Sequence, residues 1–134
     1  MKLLFVCRAN IGRSQAAMAF YNLKHPGLAS SAVTVVDVSG EQLQCRIGAA
    51  NIVTVMKEYG VDMSEYQRQQ INIQILNDYD KIVLMAEPET IPDWLRNCDK
   101  VITWNVPDPK GQTLERTRAI TADIKQKVDN LNSN

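Results

Sequence analysis

Leu3-Leu4-Phe5-Val6-Cys7-Arg8-Ala9-Asn10-Ile11-Gly12-Arg13-Ser14 is the stretch from which the rest of the chain is read. Its first four residues form an apolar run of the length and continuity expected of a short buried strand. Gln15-Ala16-Ala17-Met18-Ala19-Phe20 follows, and its alanine content suits a helix. A cysteine therefore stands at the end of a strand, a loop follows, and an arginine six positions on marks the start of a helix. The free N–H groups and partial positive charge of a helix N-terminus attract anions. A loop curling into that terminus aims several N–H groups at one point. Gly12 permits a positive φ there, and Asn10 tolerates left-handed geometry. Arg13 can fork onto two oxygens of a phosphate, and Ser14 can cap the helix or donate to the sulfur. The same field favours the thiolate of Cys7, which provides a nucleophile without a histidine base.

The whole chain sets the bounds. Its 134 residues suit one domain spanning 1–134, long enough to bury a core without staples. Fifteen basic and fifteen acidic side chains balance, so the clustered positive excess of a nucleic-acid-binding surface is absent. No apolar run approaches the ~20 residues of a membrane span. The stretch before Cys7 is too short for a signal peptide, so the expected location is the cytoplasm. Cys7, Cys45 and Cys98 are too few and too widely spaced for a disulfide framework or a metal cluster. The single histidine, His25, just before Pro26-Gly27, reads as a structural or exposed residue near a helix end.

Strands and helices alternate along the chain. Lys2 to Val6 is the first strand, and a helix runs from Arg13 or Ser14 to about Lys24. The β-branched run from Val33 to Val38 reads as the second strand. A helix is expected from about Arg46 to Tyr59, closed by Gly60, and a short helix around Ile71 to Leu76. Lys81 to Ala86 is the third strand. A helical segment bracketed by Pro88 and Pro92 continues to Arg96, with Pro92 in its first turn. Lys100 to Trp104 is the fourth strand, and a last amphipathic helix runs from about Thr113 to Leu131. This alternation predicts an α/β fold with a parallel sheet, whose ligands bind beyond the carboxyl ends of the strands. The loops after the first and fourth strands lie at that end.

Cys7-x5-Arg13-Ser14 at the N-terminus of a small α/β chain resembles the low-molecular-weight protein tyrosine phosphatases, whose motif is typically Cys-x-Gly-Asn-x-Cys-Arg-Ser-Pro. The match falls on Cys7, Asn10, Arg13 and Ser14, and the resemblance extends to the Asp-Pro after the fourth strand. It implies a three-layer α/β/α sandwich, a flavodoxin-like open sheet of four parallel strands in the order 2-1-3-4. It also implies a cysteine-dependent phosphomonoesterase that needs no metal or organic cofactor and whose partner is a phosphorylated protein or small molecule. In that family the Asp-Pro carries the general acid, which maps to Asp108 within Val106-Pro107-Asp108-Pro109. Cys7 would then be the nucleophile, and Arg13 with the loop residues Arg8, Ala9, Asn10, Ile11 and Gly12 would hold the phosphoryl oxygens. Asn10 would hold the loop's shape, Ser14 would stabilise the departing thiolate, and Asp108 would act as acid and then base.

The chain departs from the family pattern at several positions. Ala9 replaces a glycine, and Gly12 replaces the second cysteine, so a disulfide within the loop is impossible. Lys110-Gly111 stand where tyrosine-specific members carry aromatic residues, which suggests a smaller or more anionic substrate. Glu65 or Tyr66 occupies the place of a supporting histidine, and Ser39 or Val38 that of a supporting serine. Trp104 and Tyr66 are candidates to line the cleft. Two other readings compete. One is an arsenate reductase of the same fold, which needs resolving cysteines near the third strand, where this chain has Met85 and, farther on, Cys98. The other is a catalytically weak module that binds phosphate or a phosphoprotein.

Overall fold

The computed structural model describes residues 1–8, 12–34, 49–67, 69–86 and 88–131. The first strand, β1 (Leu3–Cys7), lies at the centre, and all five residues are buried. Leu3, Phe5 and Cys7 face one hydrophobic cluster and Leu4 and Val6 the other, as the two-residue period of a strand requires. Burying each large apolar side chain contributes about 1.5–3 kcal/mol, so an all-apolar five-residue run is most stable with both faces covered.

Helix α1 (Arg13–Lys24) follows, and its chain returns through β2 (Ala29–Val33). Next come α2 (Ala50–Glu58), a 3₁₀ segment (Ile73–Asp78), β3 (Lys81–Leu84), a 3₁₀ turn (Pro88–Thr90), and the short α3 (Asp93–Arg96). The chain ends with β4 (Val101–Thr103) and α4 (Leu114–Asn130). The four strands are parallel in the order β2-β1-β3-β4. Helices α1, α2 and α4 supply the cluster on one face, and Leu76 and Leu95 from the 3₁₀ segment and α3 fill the other. The expected α/β fold and strand order are observed.

The second strand differs from its sequence expectation. It begins at Ala29 rather than Val33, and residues 35–38 lie outside the described residues. Ala29-Ser30-Ser31-Ala32 has little β propensity, but its pairing with β1 outweighs this. Leu3 is aligned with Ala29, and Cys7 with Val33. The Asn22 amide on α1 brackets the strand's first residue, donating to Ala29 O at 3.1 Å and accepting from Ala29 N–H at 2.9 Å. The expected short helix around Ile71 is a 3₁₀ segment starting at Ile73, capped by Asn72, whose side chain accepts from the N–H groups of Gln74 and Ile75. Pro92 caps α3 in extended geometry rather than occupying its first turn. Residues 46–48 of the expected second helix lie outside the described residues.

Helix α4 is fastened at both ends. Thr113 accepts the N–H of Arg116 through its hydroxyl at 3.1 Å. Asp129 takes Lys24 at 2.8 Å and Lys125 at 2.9 Å, and Arg118 forks onto Glu58 of α2. Hydrogen bonds from their cationic partners hold the Glu58 and Asp129 carboxyls below the usual carboxylate range. Folded-state values below the unfolded ones mean that this stabilisation is complete above the unfolded carboxylate range. It is lost as pH falls through the lowered values. Thr113→Ala is expected to cost about 1 kcal/mol in urea unfolding. Asp129→Asn should reduce stability at pH 7 and lose its effect once the pH has fallen below the lowered carboxyl value, with the difference shrinking in high salt.

Candidate active site

Cys7 ends β1, and its position is fixed from both sides of the sheet. Its carbonyl accepts from Thr34 N–H at 3.0 Å, and the carbonyl of Val6 accepts from Met85 N–H at 2.7 Å. The Cys7 side chain is buried, with Sγ 3.2 Å from the hydroxyl of Ser14, itself fully buried in the first turn of α1. Gly12 precedes the helix at φ +131°, a conformation L side chains rarely adopt, and its carbonyl accepts from Ala16 N–H at 2.7 Å. The turn that brings Arg13 and Ser14 back towards the sulfur therefore requires glycine.

Arg13 is 4 % exposed. Burying a guanidinium is costly unless its protons are accepted. Its Nη1 donates to Met85 O at 2.7 Å, just beyond β3, and to Val106 O at 3.0 Å, in the loop after β4. Its Nη2 lies 3.9 Å from Asp108 Oδ2. The Asp108 side chain is 43 % exposed, and its other oxygen accepts Lys110 N–H at 2.9 Å. The carboxylate is thus held in an Asx-type turn with one oxygen towards the arginine and access to water. The amide of Asn51, in the first turn of α2, donates to Gln112 O at 2.9 Å and secures the far side of the same loop.

The structure thus brings together Cys7, Gly12, Arg13, Ser14 and Asp108. Arg8 is exposed beside Cys7. Ala9, Asn10 and Ile11 lie outside the described residues, as do Val38, Ser39 and Cys45. Arg13 also borders a cleft of about 310 Å³ formed with Met85, Ala86, Pro88, Trp104 and Val106, so Trp104 is at the rim. Tyr66 is not at this cleft. It lines a separate cavity of about 290 Å³ with Gln15, Ser30 and Ser31, and burial pushes its phenol above the usual range. Glu65 is exposed. Gln15 stands where the motif quoted above has proline, and its amide donates to Gln67 O at 2.7 Å. Sequence reasoning missed the carbonyls of Met85 and Val106, because backbone acceptors leave no signature in residue type.

Cys98 is out of reach of Cys7. It precedes β4 at the amino end of the sheet, where its carbonyl accepts from Val101 N–H, and it packs against the opposite hydrophobic cluster. Val101 is aligned with Ile82, and Ile82 with Leu4. Even Val101 is therefore three residues, ~10 Å, below Cys7 and two strands, ~10 Å, across. A disulfide needs Cα atoms within ~7 Å.

A family profile described as low molecular weight phosphotyrosine protein phosphatase matches residues 2–134. The chain belongs to this family. A low-molecular-weight protein tyrosine phosphatase from T. tengcongensis has the same fold, with TM-score 0.81, 27% identity, and coverage of 98% of this chain and 97% of that one. An arsenate reductase in the phosphate-binding state superposes with TM-score 0.78 and 27% identity, covering 98% and 96%. A glutaredoxin arsenate reductase of Synechocystis sp. is 29% identical over 132 residues, covering 97% of this chain and 95% of its own length. The protein is thus an enzyme of the low-molecular-weight phosphatase type, and its relatives include both phosphatases and arsenate reductases.

Mild peroxide treatment is expected to oxidise Cys7 without forming a Cys7–Cys98 bridge. Peptide mass spectrometry that found this bridge in the native protein would contradict the strand register.

Proposed function

We propose that the protein hydrolyses phosphomonoesters through a cysteinyl-phosphate, with Cys7, Arg13 and Asp108 as its catalytic groups. The supporting observation is the convergence of the Cys7 sulfur beside Ser14 and the Asp108 carboxyl beside the buried Arg13. In this reading the thiolate attacks phosphorus, and the bond to the ester oxygen breaks. Asp108 gives that oxygen its proton, so the leaving group departs neutral. The same carboxylate then takes a proton from water, whose oxygen attacks phosphorus. The S–P bond breaks, and inorganic phosphate leaves. Arg13 and the N–H groups of residues 8–14 stabilise the charge on the equatorial oxygens, and Ser14 donates to the departing sulfur. The rim suits small or anionic aryl phosphates: Lys110 is exposed beside the acid, and Trp104 borders the cleft. The expected cytoplasmic location and single-domain organisation are part of the same proposal.

A second reading is arsenate reduction, favoured by the arsenate reductases among the relatives. In place of the phosphoryl group, arsenate would form an S–As(V) adduct on Cys7 as one As–O bond breaks and that oxygen, protonated, leaves as water. Cys98 is too far away to resolve that adduct and Cys45 lies outside the described residues, so the two electrons would have to come from thiols other than Cys98, such as an external dithiol or a pair of external thiols. The described residues thus favour hydrolysis, which needs no second thiol.

Purified wild type is expected to hydrolyse p-nitrophenyl phosphate. Cys7→Ser should abolish turnover, and Asp108→Asn should lower kcat by about 10²–10⁴-fold. Arg13→Lys, which cannot span two carbonyls and a phosphate, should lower kcat/KM by about 10²–10³-fold. No hydrolysis by wild type, with arsenate reduced when glutaredoxin or glutathione is supplied, would select the second reading.

A further inference from the structure

Ile52 sits in the first turn of α2 and is 1 % exposed. It lies directly against Gly12. A Cβ at position 12 would fall 2.8 Å from Ile52 Cγ2, 3.2 Å from Cγ1 and 3.3 Å from Cβ. The first of these is closer than real Cβ atoms come. The β-branch of Ile52 therefore occupies the space that a side chain at position 12 would need. Gly12 is the last residue before Arg13, and its φ of +131° sets the direction in which the following N–H groups point. Close-packed apolar contacts resist displacement, so a methyl group against the bare glycine limits how far this turn can relax. The neighbouring Asn51 donates to Gln112 O beyond the acid loop, so one turn of α2 touches the loops on both sides of the site.

We infer that Ile52 is a positioning residue for the oxyanion-binding turn, holding Gly12 in its positive-φ conformation through the branch at Cβ. Two consequences follow. Position 12 is closed to any larger residue, including a cysteine, both by its positive φ and by the branched side chain of Ile52. Filling the core is also a separate task from bracing the turn. The inference rests on the reading of this turn as a phosphate site.

Two substitutions separate the tasks. Ile52→Val keeps Cγ1 and Cγ2 and removes only Cδ1, so it leaves the contact and opens a small void. Ile52→Leu nearly conserves volume but moves the branch from Cβ to Cγ. The readouts are calorimetric titration with inorganic phosphate, kcat and KM on p-nitrophenyl phosphate, and Tm. The Val variant is expected to melt lower than wild type yet bind phosphate within threefold of it. The Leu variant should keep a Tm nearer wild type but bind phosphate at least threefold more weakly, with a matching fall in kcat. Ile52→Met, also unbranched at Cβ, replaces it if the Leu variant does not fold. Phosphate binding within threefold of wild type in the unbranched variant, or an equal loss in Ile52→Val, would overturn the inference. Phosphate titration requires no turnover. If the titration separates the variants while no phosphomonoester is hydrolysed, the function above fails and this assignment stands. If wild type binds no phosphate, both fail.

Discussion

The buried guanidinium of Arg13 and the two carbonyls that accept its Nη1 protons hold the candidate site together. A cation this deep is tolerable only where acceptors are fixed before it arrives, because an unpaired buried charge is far more costly than a paired one is favourable. Met85 O and Val106 O are such acceptors, set by the carboxyl ends of β3 and β4 in a parallel sheet. The arginine begins α1, which itself follows β1. One side chain thus ties together three of the four strand ends. The acid loop is part of the same arrangement, since Val106 lies two residues before Asp108 and brings the carboxylate to 3.9 Å from Nη2.

The placement of Cys7 depends on the same architecture. Cys7 is the last residue of the most buried strand, and its sulfur faces the first turn of α1, where Ser14 lies 3.2 Å away. The fold also separates Cys7 from Cys98, placing the two at opposite ends and on opposite faces of the sheet. This separation removes Cys98 from any chemistry at Cys7. Hydrolysis can be completed by one thiol, one guanidinium and one carboxyl, whereas reduction needs electrons that these groups cannot provide. The cleft beside Arg13 has Trp104 at its border, and Lys110 is exposed two residues after Asp108.

Much of the fold was legible where local and tertiary preferences agree. β1 is apolar throughout, α1 begins where the motif requires it, and α4 carries its stripe from Leu114 to Val128 with Thr113 as its cap. The second strand was misplaced because its β-branched run, Val33 to Val38, is a stronger local signal than Ala29-Ser30-Ser31-Ala32. Pairing with β1 and the Asn22 clasp come from elsewhere in the chain, and they set its start at Ala29. Pro92 was misplaced by one position for a related reason: its fixed φ suits both a cap and a first turn, and ψ decides between them.

The sequence by itself determined the kinds of groups available: a cysteine and an arginine six positions apart, a glycine between them, and an aspartate between prolines. Residue type and short-range spacing are enough for that, since the motif spans one turn and one helix start. Tertiary structure alone decided what each group meets. Arg13 rests on carbonyls 72 and 93 residues away, and Ile52 closes the space beside Gly12. Cys98 is removed from Cys7, and Tyr66 lies at another cavity. Those outcomes depend on strand register and helix packing, which long-range burial fixes and no local pattern encodes.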